Sequence, residues 1–152
     1  MTTLVDTSIL LRLSDTEDMR HAVTQRAVTR LNLEGESLVT TPQNLIEFRG
    51  VATRPVNVNG QGMTAAEVEA AIDLIESVFP LLPDRTGVYR HWRRLCRAAG
   101  VSGKQVHDTR LVAVCVTHKV SSILTWNPRD FVRFIPFVAG LQVRTPDDVL
   151  AR

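Results

Sequence analysis

The sequence predicts an α/β fold in three layers, with a short-stranded parallel sheet covered by helices on both faces. Two observations carry this. Strand and helix patterns alternate along the chain, and each strand candidate is short and apolar throughout rather than alternating apolar with polar. The length of 152 residues fits one domain, residues 1–152, with enough chain for a sizeable core. A hydrophobic content of 44% fits a globular protein.

The elements follow in order. Thr3–Asp6 reads as a first strand, and Thr7–Leu13 as the start of a helix. Met19–Leu33 has a helical period, with Ala22, Val23, Ala27, Val28 and Leu31 on one stripe, and Gly35 ends it. Ser37–Thr40 reads as a second strand. Thr41-Pro42 is an N-cap followed by a proline in the first turn, opening a helix to about Thr53. Pro55–Gly62 is the clearest loop, a border for a groove or a connector. Thr64 and Glu67 form a capping box before a helix to about Phe79. Leu81-Leu82 reads as a short strand or its remnant, and Asp84–Ala99 as a helix stopped by Gly100. Gln105–His118 is a helix apolar nearly all round from Leu111 to Val116, hence buried. Ser122–Thr125 is a strand, and Asn127-Pro128 a second cap and first-turn pair. Leu141–Arg144 is the last strand, and Thr145 caps a short final helix.

No apolar run approaches ~18 residues, so no membrane span is expected. The N-terminus has no basic region ahead of its apolar residues and reads as a strand rather than a signal peptide. Cys96 and Cys115 lie in separate helices without metal-ligand spacing, as free buried thiols. A reducing cytoplasm is the expected compartment. The net charge of +2 names no partner. Most basic residues are arginine, which suits bidentate contact with carboxylate or phosphate.

Three acids stand out because each lies in or against an apolar run. Asp6 closes the first strand, Glu47 sits in Asn44-Leu-Ile-Glu-Phe48, and Asp108 precedes Leu111–Val116. A carboxylate beside a buried element is costly unless its charge is offset. Three of them converging would make a site for a hard divalent cation. In an open α/β sheet such a site lies beyond the carboxyl ends of the strands.

Four motifs in this order resemble the PIN-domain family, in particular its VapC-like toxins of type II toxin–antitoxin systems. They are Leu4-Val-Asp-Thr-Ser-Ile-Leu10, Thr41-Pro-Gln-Asn-Leu-Ile-Glu-Phe48, His107-Asp-Thr-Arg-Leu-Val-Ala113 and Ile123-Leu-Thr-Trp-Asn-Pro-Arg-Asp-Phe131. The resemblance spans nearly the whole chain. It implies a PIN-like fold and a Mg²⁺- or Mn²⁺-dependent endoribonuclease, with an RNA substrate, a cognate antitoxin and a homodimeric state. It makes Asp6, Glu47 and Asp108 the central metal-binding and catalytic acids, with Ser8 and Thr125 as supporting hydroxyls. At the fourth acidic position this chain has Asn127, where many relatives have aspartate. Asp130, three residues on, has two readings: the fourth carboxylate, acting directly or through water, or a local partner of its own helix start. Because of that departure, a non-catalytic RNA- or protein-binding PIN domain stands as the alternative.

His107 is Asp108's neighbour on a helix and points about 100° away, which suits the rim of a site. Arg90, Arg93, Arg94 and Arg97 have i, i+3, i+4, i+7 spacing and form one basic stripe. Val88, Tyr89, Trp92, Leu95, Cys96 and Ala99 are expected on the packed face opposite. The stripe has three readings: RNA phosphate contact, an antitoxin-binding face, or a solvated surface. Ala66, Val68, Ala70, Ala71, Leu74, Ile75 and Val78 give their helix more apolar positions than one core stripe needs, which points to dimer burial.

Overall fold

A computed structural model describes all residues, Met1–Arg152. Four parallel strands, β1 (Thr2–Val5), β2 (Ser37–Val39), β3 (Ser122–Leu124) and β4 (Gln142–Arg144), form one sheet in the order β2-β1-β3-β4. Leu4 lies opposite Val39 on one side and Ile123 on the other. The helices are α1 (Thr7–Ser14), α2 (His21–Leu33), α3 (Pro42–Ala52), α4 (Ala65–Val78), α5 (Val88–Ala99), α6 (Gln105–His118) and α7 (Pro146–Leu150).

The apolar strands feed two cores, one on each face. Val5 and Leu124 pack with Ile9, Leu31, Phe48 and Ile75 from α1 to α4. Leu4 and Ile123 pack with Leu95, Leu111, Phe131 and Phe134 on the other face. Each such fully buried side chain contributes about 1.5–3 kcal/mol, so both faces of the sheet need helices. The three-layer expectation holds for this reason.

The strand order positions the site. The chain steps from β1 to β2 on one side, then crosses to β3 on the other side of β1. That reversal opens a crevice at the carboxyl ends of β1 and β3, where ligands bind in open α/β sheets. The opposite edge is closed by a buried ion pair. Arg144 donates to both Glu36 carboxylate oxygens, at 3.0 and 2.7 Å, to Thr3 Oγ1 at 2.9 Å and to Ser122 Oγ at 3.0 Å.

The three threonine cap signals are realised, whereas Asn127 makes no side-chain cap ahead of Pro128. Thr41, Thr64 and Thr145 each accept from a backbone N–H three residues on, and Thr64 and Thr145 complete capping boxes with Glu67 and Asp148. Leu81 makes one parallel bridge to Thr40, the remnant of a fifth strand. The Pro55–Gly62 loop holds a 3-10 turn at Val56–Val58. Gln61 ties it down by donating to the Leu11 carbonyl at 3.0 Å.

Several boundaries differ from expectation. The first strand ends at Val5, because Asp6 caps α1 by accepting from Ser8 N. Helix α2 starts at His21, and Met19 is exposed. Helix α5 starts at Val88 rather than Asp84. Gly87 has φ +107°, a conformation that ends helical continuity and that glycine adopts without steric cost. Asp84 instead pairs with Arg110 at 2.8 Å. Tyr89 does not join the packed face; it is 67% exposed. Cys115 is buried, whereas Cys96 is partly exposed. The six-residue 3-10 segment Val132–Phe137 had no period to announce it.

Candidate functional site

The site is built at the carboxyl ends of β1 and β3. Asp6 leaves β1 with its N–H still bonded to the Leu124 carbonyl at 3.0 Å, so the sheet fixes its backbone. Its side chain is buried. Ser8 Oγ and Thr125 Oγ1 each donate to Asp6 Oδ2 at 2.8 Å. Both hydroxyls also accept a backbone N–H: Ser8 from Trp126 and Thr125 from Asn127, each at 2.9 Å. The two hydroxyls lie 3.2 Å apart, but each has one proton and the shorter contact to the carboxylate, which can only accept when ionised, draws both protons toward Asp6. Oδ2 is thereby saturated and Oδ1 is left without a protein partner.

Glu47 lies on the second turn of α3, held at both oxygens. Thr7 Oγ1 donates to Oε2 at 2.8 Å and Gln43 Nε2 to Oε1 at 3.0 Å. Gln43 Nε2 also donates to the His107 carbonyl at 2.8 Å, and Gln43 Oε1 accepts from Arg110 at 3.0 Å. The Arg110 guanidinium thus sets which end of the amide faces Glu47, and Gln43 clamps α3 to the start of α6. Asn44 Nδ2 donates to Thr7 Oγ1 at 3.0 Å, which leaves the Thr7 proton for Glu47.

Asp108 occupies the first turn of α6, half-buried and without a side-chain hydrogen bond. Its carboxyl is pushed up from 3.8 to about 7, first by burial and then by the negative charges of Asp130, Asp6 and Glu47; only Lys104 opposes. Asp6 is raised too, by burial and by Glu47, against the hydrogen bonds of Ser8 and Thr125. All four acids therefore share one electrostatic neighbourhood. Asp130 ends the 3-10 turn Pro128–Asp130, and neither Asn127 nor Asp130 caps it through its side chain. Asn127 is exposed, and His107 shows an exposed side chain at the rim, contributing its carbonyl instead.

No three of these side chains close directly around one point as chelating ligands. The donor set nonetheless suits a hard divalent ion of the magnesium kind. Such an ion keeps several waters and takes only one or two carboxylates. Asp6 Oδ1 and the Asp108 and Asp130 carboxylates are free of protein donors, and their mutual repulsion is what a cation relieves.

Thr7 and Gln43 were not singled out from the sequence. The signal for Gln43 was present, since it lies four residues before Glu47 on a helix and i, i+4 side chains meet. Thr7 had no local signal; its partner is 40 residues away.

Residues 3–134 match the PIN domain. The chain belongs to the PIN-domain family. No curated protein sequence matches it. The fold is similar to VapBC-1 from nontypeable Haemophilus influenzae, with 17% identity, 97% of this chain and 99% of that one covered, and a TM-score of 0.69. It is similar to VapBC2 from Rickettsia felis, bound to a DNA fragment from its promoter, at 11% identity, 95% and 98% coverage and a TM-score of 0.67. It is also similar to VapC20 of Mycobacterium tuberculosis, a Sarcin-Ricin loop cleaving toxin, at 16% identity, 91% and 98% coverage and a TM-score of 0.63. These likenesses establish the PIN-like α/β/α arrangement predicted from the motifs.

Proposed function

We propose that this PIN-domain chain is a divalent-metal-dependent endoribonuclease, the toxin of a type II toxin–antitoxin pair. The observation that carries the reading is the uncompensated acid cluster, with Asp108 pushed up to about 7 in the crevice between β1 and β3. A protein has little reason to gather four carboxylates at a switch point unless a cation joins them. Asp6, Glu47, Asp108 and Asp130 would hold Mg²⁺ or Mn²⁺, Asp6 through its free Oδ1. When bound, such an ion neutralises charge on a phosphodiester and makes water nucleophilic at neutral pH.

The chain's own residues do the positioning. Ser8 and Thr125 fix the Asp6 carboxylate, and Thr7 and Gln43 fix Glu47. Asn127, exposed two residues after Thr125, would contact the substrate. The toxin assignment is supported by the structural likeness to VapBC and VapC proteins, and a cognate antitoxin follows as partner. A homodimer is supported by Ile46 on α3 and Leu74 and Val78 on α4, which are 72%, 66% and 51% exposed. No helix is long and apolar enough to cross a membrane.

The departure at Asn127 favours one second reading, a PIN domain that binds RNA or protein without cutting. One experiment separates the two. Purified protein is incubated with labelled RNA in Mg²⁺ or Mn²⁺, with EDTA as control, beside Asp6→Asn checked for folding by circular dichroism. Cleavage that EDTA stops and Asp6→Asn abolishes is the expected result. RNA association without cleavage at any divalent concentration assigns the non-catalytic reading, and full activity in Asp6→Asn refutes the carboxylate mechanism.

A further inference from the structure

Between Asp84 and Asp108 the chain contains no acidic residue, yet carries Arg85, Arg90, Arg93, Arg94, Arg97 and Lys104. The whole chain has 18 Lys and Arg against 16 Asp and Glu. With those six removed, 12 basic side chains face 16 acidic ones, so the α5 region is the positive pole of an otherwise acidic molecule. Arg90, Arg93, Arg94 and Arg97 are all exposed on α5. Arg12, Arg30, Arg49, Arg110 and Arg144 each have a carboxylate partner, and these four have none. Arg94 reaches only the Phe137 carbonyl, at 3.4 Å. Their field is felt locally: burial and the charges of Arg94 and Arg90 lower the pKa of His91.

The four arginines line a shallow depression with Tyr89 and Ala98. Tyr89 is exposed and stacks on Trp92 with ring centroids 5.8 Å apart and planes 24° apart. The Trp92 indole donates to the Val106 carbonyl at 2.8 Å, two residues before Asp108. The aromatic pair therefore joins the basic face to the start of the acid-bearing helix. Arg90 and Arg97 are about 10 Å apart along the helix axis.

We propose that this α5 face binds the phosphate backbone of the RNA substrate outside the cleavage crevice, with Tyr89 as a stacking platform for a base. The chemistry favours a polyanion with aromatic groups: unpaired guanidinium groups suit phosphate, and an exposed ring beside them suits a base. The crevice itself is acidic and repels RNA, so a separate basic surface is what brings the strand to it. The choice of RNA as the polyanion rests on the nuclease reading.

The test measures binding of a fluorescein-labelled oligouridylate of about 12 nucleotides by polarisation in EDTA at several salt concentrations. Wild type is compared with Arg90→Ala/Arg93→Ala/Arg94→Ala/Arg97→Ala and with the matching four-lysine variant. Four phosphate contacts on a single strand give a log–log salt slope of about −3. The alanine variant should lose most of that slope. Between 50 and 200 mM salt, wild type should weaken about 50-fold more than the variant. The lysine variant keeps the charge and should retain the slope. In cleavage assays the alanine variant should show a raised half-saturation with turnover unchanged.

Equal affinity and slope in wild type and the alanine variant overturn the proposal. So does loss of polyglutamate binding with RNA binding intact, which would assign the face to an acidic protein segment. Steep salt-dependent RNA binding without Mn²⁺-dependent cleavage would instead retain this surface and remove the nuclease reading.

Discussion

Asp108 should make the metal-free protein less stable as pH rises, and neutralising it should reverse that. In the unfolded chain its carboxyl ionises near 4, whereas in the fold it does so at about 7. Between those values the native state keeps a proton that the unfolded state has lost, so stability falls as pH rises through the window. Above pH 7 the cost is complete. A displacement from 3.8 to about 7 would be roughly 4 kcal/mol in a dry site. Asp108 is half-exposed, and solvent screening reduces this to about 2 kcal/mol. Asp108→Asn removes the penalty but also the favourable interaction with the start of α6, roughly 0.5 kcal/mol. The net gain at pH 8 is about 1.5 kcal/mol, a rise in Tm of about 3–6 °C for a chain of this size. Thermal unfolding in EDTA at pH 8 and pH 4.5 tests it: the gain should be present at pH 8 and absent at pH 4.5. An Asp108→Asn protein that melts at or below wild type at pH 8, or that gains equally at both pH values, refutes the argument that repulsion and burial set this carboxyl.

Two further outcomes follow from the hydrogen-bond network. Thr7→Val and Gln43→Ala each remove a bond to the Glu47 carboxylate, worth about 1.5–3 kcal/mol, so turnover should drop roughly 10- to 100-fold; Gln43→Ala should melt nearly as wild type, whereas Thr7→Val also takes the acceptor from the buried Asn44 Nδ2 and should lose about 1–3 kcal/mol of stability. Wild-type turnover in both would show that Glu47 needs no such support. At the opposite edge, Arg144→Met strands a buried Glu36 and should cost about 3–5 kcal/mol by urea unfolding. Burial alone would push Glu36 up, but hydrogen bonds from Arg144 and Thr3 and the Arg144 charge outweigh it and hold Glu36 below its usual value. Its contribution is therefore present above about pH 4.5 and lost on acidification, so the variant's stability should vary less with acid than wild type's.

The sheet and helices were legible because their signals are local. Capping threonines at positions 41, 64 and 145 mark helix starts, and apolar runs such as Ser122–Leu124 mark buried strands. The acids Asp6, Glu47 and Asp108 were legible because charge beside an apolar run demands an explanation. What stayed hidden depends on tertiary partners. Thr7 and Gln43 hold Glu47 only once α1 and α3 have met, and Arg110 orients Gln43 from 67 residues away. The start of α5 was obscured because the charged stretch after Asp84 continues a helical composition, while Gly87 breaks the helix by its backbone angle. The helical period alone puts Tyr89 on the packed face, whereas in the fold it shares the open side with the arginines.

The central claim is that the crevice acids hold a divalent ion, and calorimetric titration of Mn²⁺ into the metal-free protein tests it most directly. Wild type should bind Mn²⁺ saturably, Asp6→Asn and Asp108→Asn should lose that binding while remaining folded, and Asp130→Asn should weaken it. Binding of Mn²⁺ to Asp6→Asn with wild-type affinity, or no binding by wild type at millimolar ion, would contradict the account.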